Sequence, residues 1–277
     1  TAIVTDTNSS ISAKEAQEMG IDLIPMPFFV DGETYLEGKD CTPETFFQRM
    51  KAGAEISTSQ PAPEEITSLW DTLLKTHDAV LHFPMSSGLS GSCHTAKALA
   101  QEYGGRGLVV DDRRISVTLA QSIRNAQVLL AQGKTAAEVR DILEAERDAS
   151  SVYIAVNTLE YLHKGGRLPA SMAVVGTLLK VKPLITLREG EVGILGKGLG
   201  VKNGLDNLLK LMGDEIHPEP RLPLYFGYTQ THNLCDQLRE RVVEKYHPAR
   251  VEQNSVGAVV GTHVGPDGAV VVYLDQE

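Results

Sequence analysis

Short apolar runs alternating with helical stretches set the narrowest limit on how this chain can fold. Residues 2–5, Ala79–Phe83 and Leu108–Val110 are too short for helices and read as buried strands. Between them lie patterns that start and stop like helices. Ser12 followed by Glu15 has the spacing of a capping box, and Gly20 is a stop. Thr42-Pro43 opens a helix to about Met50, with proline at the first helical position. Further helices are expected over Glu64–Thr76, from Ser92 to about Tyr103, and over Ile115–Ala131 and Ala136–Asp148. Pro25 and Pro27 interrupt the extended stretch Ile21–Val30, which suits an edge or irregular wall. This alternation is the pattern of a parallel sheet wound with helices.

The punctuation changes near residue 150. Val152–Val156 reads as a strand and Leu159–Lys164 as a short helix, followed by Gly165-Gly166-Arg167 and an apolar segment to Leu187. Arg188–Glu191 has hairpin chemistry between Leu184–Leu187 and Val192–Leu195. Helices are expected over Gly204–Met212 and Asn233–Tyr246, with a strand at Leu222–Tyr228. Val256–Gly261 and Ala269–Leu274 read as strands around a Gly-Pro-Asp-Gly turn at 265–268. The expectation is an α/β protein of two domains. Residues 1–150 form a parallel sheet wound with helices, and residues 151–277 form a mixed or antiparallel sheet with helices.

Charge excludes one class of partner. Against 26 Lys and Arg stand 36 Asp and Glu, a net charge of -10, with no basic run. A nucleic-acid binder needs a basic footprint, so none is expected here. Three scattered cysteines, Cys41, Cys93 and Cys235, fit neither a disulfide framework nor a zinc knuckle and point to a reducing compartment. No apolar run has membrane-spanning length and no leader-like pattern opens the sequence. The expectation is a cytoplasmic protein without stable membrane insertion.

Three loops carry chemistry. Ser57-Thr58-Ser59-Gln60-Pro61 precedes a helix, and Ser86-Ser87-Gly88-Leu89-Ser90-Gly91-Ser92 joins a strand to a helix. The third is Gly261–Pro266, with His263. In parallel sheets, loops leaving strand ends for helix N-termini lie at the ligand edge, where free N–H groups favour an anion. Hydroxyls add neutral donors and glycines allow close backbone approach. The first two loops suit a small anionic head group. Each alone also suits an ordinary helix cap, and His263 alone suits a structural role.

Six motifs in order resemble the DegV family. They are Thr5-Asp6-Thr7-Asn8-Ser9, Thr58-Ser59-Gln60-Pro61, Ser86-Ser87-Gly88-Leu89-Ser90-Gly91, Leu162-His163-Lys164-Gly165-Gly166-Arg167, Lys182-Pro183 and His263-Val264-Gly265-Pro266. The resemblance spans residues 5–266. It implies a fatty-acid-binding protein of two domains, with a long-chain fatty acid in a tunnel between them. It assigns the carboxylate to Thr58, Ser90 and His263, with Asp6, Ser59, Gln60, Ser86, Ser87, Gly88 and Gly91 supporting. It also implies that the protein is not itself an enzyme, has no cofactor, and presents the acid to a separate Dak-type fatty acid kinase subunit for phospholipid synthesis. Consistent with that, no G-x-x-x-x-G-K-[ST] loop occurs. Kinase docking is expected at Arg167, Lys197 and Lys202. The chain departs from the family's basic cluster at Leu199, where an arginine is expected.

Two rival readings use the same loops. Ser90, His263 and Asp6 could be a hydrolase triad, yet the elbow G-x-S-x-G is not met. Asp6, Asp40, His82, His94, Asp111 and Asp112 could ligate metal for a phosphoesterase, yet no H-x-x-x-H, D-x-D or D-H-H occurs. Pro25–Phe29 and Met172–Val181 are candidate tunnel wall, or plain core.

Overall fold

The computed structural model describes residues 1–169, 181–215 and 223–274. In chain order the strands are β1 (Ala2–Asp6), β2 (Asp22–Ile24), β3 (Pro27–Val30), β4 (Glu33–Leu36), β5 (Ile56–Thr58), β6 (Val80–Phe83), β7 (Gly107–Val109), β8 (Ser150–Ala155), β9 (Val181–Arg188), β10 (Glu191–Leu199), β11 (Pro223–Tyr228), β12 (Arg250–Ser255) and β13 (Ala269–Leu274). The helices are α1 (Ala13–Met19), α2 (Pro43–Lys51), α3 (Pro63–Leu73), α4 (Ser92–Ala100), α5 (Val117–Ala131), α6 (Ala136–Ala145), α7 (Glu160–Lys164), α8 (Gly200–Glu215), α9 (Asn233–Tyr246) and α10 (Ala258–Val264). Two compact units result. The first comprises residues 1–29, 33–41 and 58–148; the second comprises 30–32, 42–57 and 149–277.

The first unit is built on a parallel sheet of order β2-β1-β6-β7. Its strands are covered on both faces, as parallel sheets require. Ile3, Leu81, Phe83 and Leu108 pack with Ile123, Val139 and Leu143. Ala2, Val4, Val80 and Val109 pack with Ile66, Trp70 and Ala96. Local signals set the helix boundaries. Ser12 and Glu15 make the reciprocal capping box of α1, and Gly20 ends it with a φ of 66°. Thr135 and Glu138 do the same for α6.

The second unit holds a six-stranded mixed sheet of order β10-β9-β8-β13-β11-β12. All neighbours are antiparallel except β11 and β12, which α9 joins as a parallel pair. Its core gathers Tyr153, Leu184, Leu208, Met212, Phe226 and Leu238. The hairpin between β9 and β10 turns at Glu189 and Gly190, both at positive φ, the requirement of a tight hairpin turn. α2 belongs to this unit, and Phe47 on it packs against Gly261.

Two local readings need correction. Val256–Gly261 is no strand: residues 258–264 form α10. A buried apolar run of that length cannot be told from a strand by periodicity. The unexpected strand is β12, whose polar sequence Arg-Val-Glu-Gln-Asn-Ser lies at the sheet edge and, among the described residues, pairs only with β11. β4 and β5, also unexpected, flank β3 in a small separate sheet. Thr58 is therefore the last residue of a strand, and His263 rides on a helix rather than a loop. The candidate wall residues 172–180 lie outside the described residues.

Candidate functional site

In the first unit the two hydroxyl loops approach one another. Thr58 is partly buried at the end of β5, and the Ser59 N–H donates to the Pro27 carbonyl at 3.2 Å. Gln60 ties one loop to the other. Its Oε1 accepts the Thr95 hydroxyl at 3.1 Å, and a Cβ on Gly91 would sit 3.1 Å from the same oxygen. Gly91 thus lets the loops approach. Neither Ala62 nor Gly91, the N-cap residues of α3 and α4, provides a side-chain cap. At α4 the neighbouring Ser90 substitutes: its Oγ accepts the Ser92 N–H at 3.2 Å and shares a 2.6 Å hydrogen bond with the Ser92 hydroxyl.

A buried polar layer supports this loop. The Ser86 Oγ accepts the Gly88 N–H at 3.2 Å, and the Ser86 N–H donates to the Arg114 carbonyl at 2.9 Å. The Ser87 N–H reaches Asp111 Oδ1 at 3.4 Å. Asp6, fully buried, accepts the Met85 N–H at 3.0 Å and the Asn8 N–H at 2.9 Å. Burial pushes its carboxyl up to about 6, against the opposing pull of those hydrogen bonds. Asp6 therefore anchors the entry to the Ser86–Gly91 loop.

The second unit gathers motifs distant in sequence around His263. A Cβ on Gly165 would fall 2.1 Å from His263 Nδ1, so only glycine admits the imidazole there. A Cβ on Gly265, which has a φ of 79°, would fall 2.4 Å from the Tyr161 ring. Arg167 curls back to its own loop, donating to the Gly165 carbonyl at 2.5 Å. Burial, and then the Arg167 charge, hold the His263 imidazole down to about 4. His263 is therefore neutral near pH 7. Lys197, Lys202 and Leu199 are exposed together where β10 ends and α8 begins, with Leu199 71% exposed. The residues expected for docking thus separate into a half-buried arginine beside His263 and a solvent-facing corner.

The rival readings find little support. Asp6 spends its carboxylate on the backbone N–H groups of Asn8 and Met85. His82 is buried edge-on to Trp70, and its ring is held down to about 3 by burial. Asp40 accepts the Leu36 N–H, and Asp111 pairs with Lys97 at 3.1 Å. Among the described residues no group of three or more His, Cys, Asp or Glu side chains could hold a metal ion. Nor does any described helix have the length and apolarity to cross a membrane. One residue that sequence reading missed is Thr229, buried under the turn that follows His263. It follows an ordinary strand and carries no motif, so no local signal marks it.

Comparison with known proteins places these motifs. The family model described as "Uncharacterised protein, DegV family" matches residues 1–276. A DegV domain-containing protein of Deinococcus radiodurans is 30% identical over 275 residues, covering 99% of this chain and 98% of its own. A DegV family protein from Thermus thermophilus, described for its fatty acid binding, superposes with a TM-score of 0.90 at 31% identity, covering 99% of both chains. DegV of Bacillus subtilis, described as a fatty acid binding protein, superposes at 0.85 with 25% identity, again over 99% of both chains. The chain belongs to the DegV family.

Proposed function

We propose that this protein binds a long-chain fatty acid, with Thr58, Ser90 and His263 as ligands of its carboxylate, and presents that carboxylate to a separate Dak-type kinase subunit in the cytoplasm. The carrying observation is whole-chain similarity, in sequence and fold, to a Thermus thermophilus protein described for fatty acid binding. The local chemistry agrees. Thr58 and Ser90 offer neutral hydroxyls, and a guanidinium stands beside a neutral imidazole at His263. An anion suits such donors.

Magnitudes divide the labour. A tail of about sixteen carbons gains roughly 0.8 kcal/mol per buried CH₂, about 12 kcal/mol in all. Each charge-assisted hydrogen bond to the head group adds about 1.5–3 kcal/mol, much of it offset by desolvation. Association costs about 4–15 kcal/mol. The tail supplies most of the affinity and the head-group donors set orientation.

Native mass spectrometry and lipid extraction of the purified protein test the reading. A fatty acid should accompany it in near-stoichiometric amount. Thr58→Ala or Ser90→Ala should weaken hexadecanoate binding by about 1–3 kcal/mol. His263→Ala should reduce carboxylate phosphorylation by a cognate kinase more than it reduces binding. Absence of lipid, with no hexadecanoate bound by the delipidated protein, overturns the proposal.

A further inference from the structure

His263 sits near the end of α10, a helix of seven residues. So short a helix does not hold its own geometry, and its orientation depends on what grips its ends. One grip is Gly265 under the Tyr161 ring. The other is the turn at residues 265–268, and Thr229 dominates it. Thr229 is fully buried just after β11. Its hydroxyl donates to the Gly265 carbonyl at 2.6 Å and accepts the Gly268 N–H at 2.8 Å. Its backbone N–H donates to the Gly268 carbonyl at 3.2 Å, and its carbonyl accepts the Asp267 N–H at 3.1 Å. One residue therefore makes four hydrogen bonds to a four-residue turn. Thr231 adds a hydroxyl bond to Asp267 Oδ1 at 2.6 Å, and Lys51 pairs with the same carboxylate at 3.3 Å. Asn157, held by Lys182 of the Lys-Pro motif, donates to the Pro266 carbonyl at 3.1 Å.

We propose that Thr229 is the positioning residue for His263: its hydroxyl locks the turn that ends α10 and so fixes where the imidazole stands. This rests on the fatty-acid reading only for its consequence in binding, not for the geometry. A hydroxyl that donates and accepts within one buried turn cannot be replaced by a methyl without stranding Gly265 O and Gly268 N. The imidazole lies against Gly165 with no spare room, so a small shift of α10 changes its surroundings.

The test pairs Thr229→Val, which keeps the shape and loses the hydroxyl, with Thr229→Ser, which keeps the hydroxyl. NMR titration of the histidine ring signals, with His263 assigned by difference from His263→Gln, reads the position directly. Thr229→Val should move the His263 midpoint upward from about 4 toward its ordinary 6.5 and weaken hexadecanoate binding about tenfold. Thr229→Ser should leave both near wild type. If Thr229→Val does not fold, Thr231→Val, which removes a single bond to Asp267, should shift the midpoint in the same direction by less. A lowered melting temperature with an unchanged His263 titration in the folded Thr229→Val or Thr231→Val protein overturns the proposal. The titration needs no ligand. Wild-type protein that fails to bind hexadecanoate therefore defeats the fatty-acid reading alone, and the ring signals still decide the role of Thr229.

Discussion

The two units hold their candidate ligands by different means. In the first, Thr58 and Ser90 belong to loops cross-tied by Gln60 and anchored on the buried carboxyl of Asp6. In the second, His263 rides on a two-turn helix, set by glycines that admit a ring and by a hydrogen-bonded turn. The Ser90 loop follows β6 of the parallel sheet, whose topology gathers such loops at the carboxyl ends of its strands, and Gln60 ties the Thr58 loop to the helix that comes next. The second arrangement depends on close packing, where a single methyl is felt. Polar loops tolerate small volume changes by bending; a ring pressed on backbone does not.

Paired glycine substitutions test that contrast most severely. Gly165→Ala places a methyl 2.1 Å from His263 Nδ1 and should cost about 3 kcal/mol in chemical denaturation, the upper end of ordinary overpacking. Gly91→Ala meets only the end of a flexible side chain, Gln60 Oε1 at 3.1 Å, and should cost less than about 1 kcal/mol. Equal costs would erase the distinction between loop and packed ring.

Acidity sharpens it further, because the two anchors respond with opposite sign. The Asp6 carboxyl lies at about 6 in the folded protein and near 3.8 when exposed. Its contribution is fully favourable below 3.8 and is lost as pH rises through 6. His263 lies at about 4 folded and near 6.5 exposed. Its contribution is present above 6.5 and is lost as pH falls through 4. Each effect is on the order of 3 kcal/mol at full extent. Denaturation curves between pH 4 and 7 should therefore tilt one way in Asp6→Asn and the other way in His263→Gln. The same direction of tilt in both would mean that one of the two groups is not buried as described.

The smallest effects belong to the exposed corner. Leu199→Arg and Lys197→Ala should alter stability by no more than about 0.5 kcal/mol, as surface changes usually do. Both should leave the His263 titration where it is. Arg167→Ala should raise that titration above about 4 by removing the neighbouring charge. A His263 response to Leu199→Arg would join what the structure separates.

Much of the first unit was legible from local chemistry. Ser12 with Glu15 and Gly20 mark helix ends through hydrogen bonds and dihedral limits that act within a few residues, as Thr42-Pro43 does in the second unit. The strands Ala2–Asp6 and Val80–Phe83 are apolar because both sheet faces are covered. The loop bearing Ser86 and Ser90 could be placed between a strand and a helix for the same reason, because strand-to-helix connections have a fixed polarity.

Tertiary structure decided the rest. Polar Arg250–Ser255 became a strand because an edge position lets its side chains meet water. Apolar Ala258–Val264 became a helix because Phe47 and Tyr161, far away in sequence, close around its glycines. Gly165 was visible as a motif, but not its purpose, since no local rule says which ring will lie on a glycine. Thr229 carried no signal at all. Local hydrogen bonds and side-chain periodicity are written into neighbouring residues, whereas a close approach between distant segments exists only once the chain has packed.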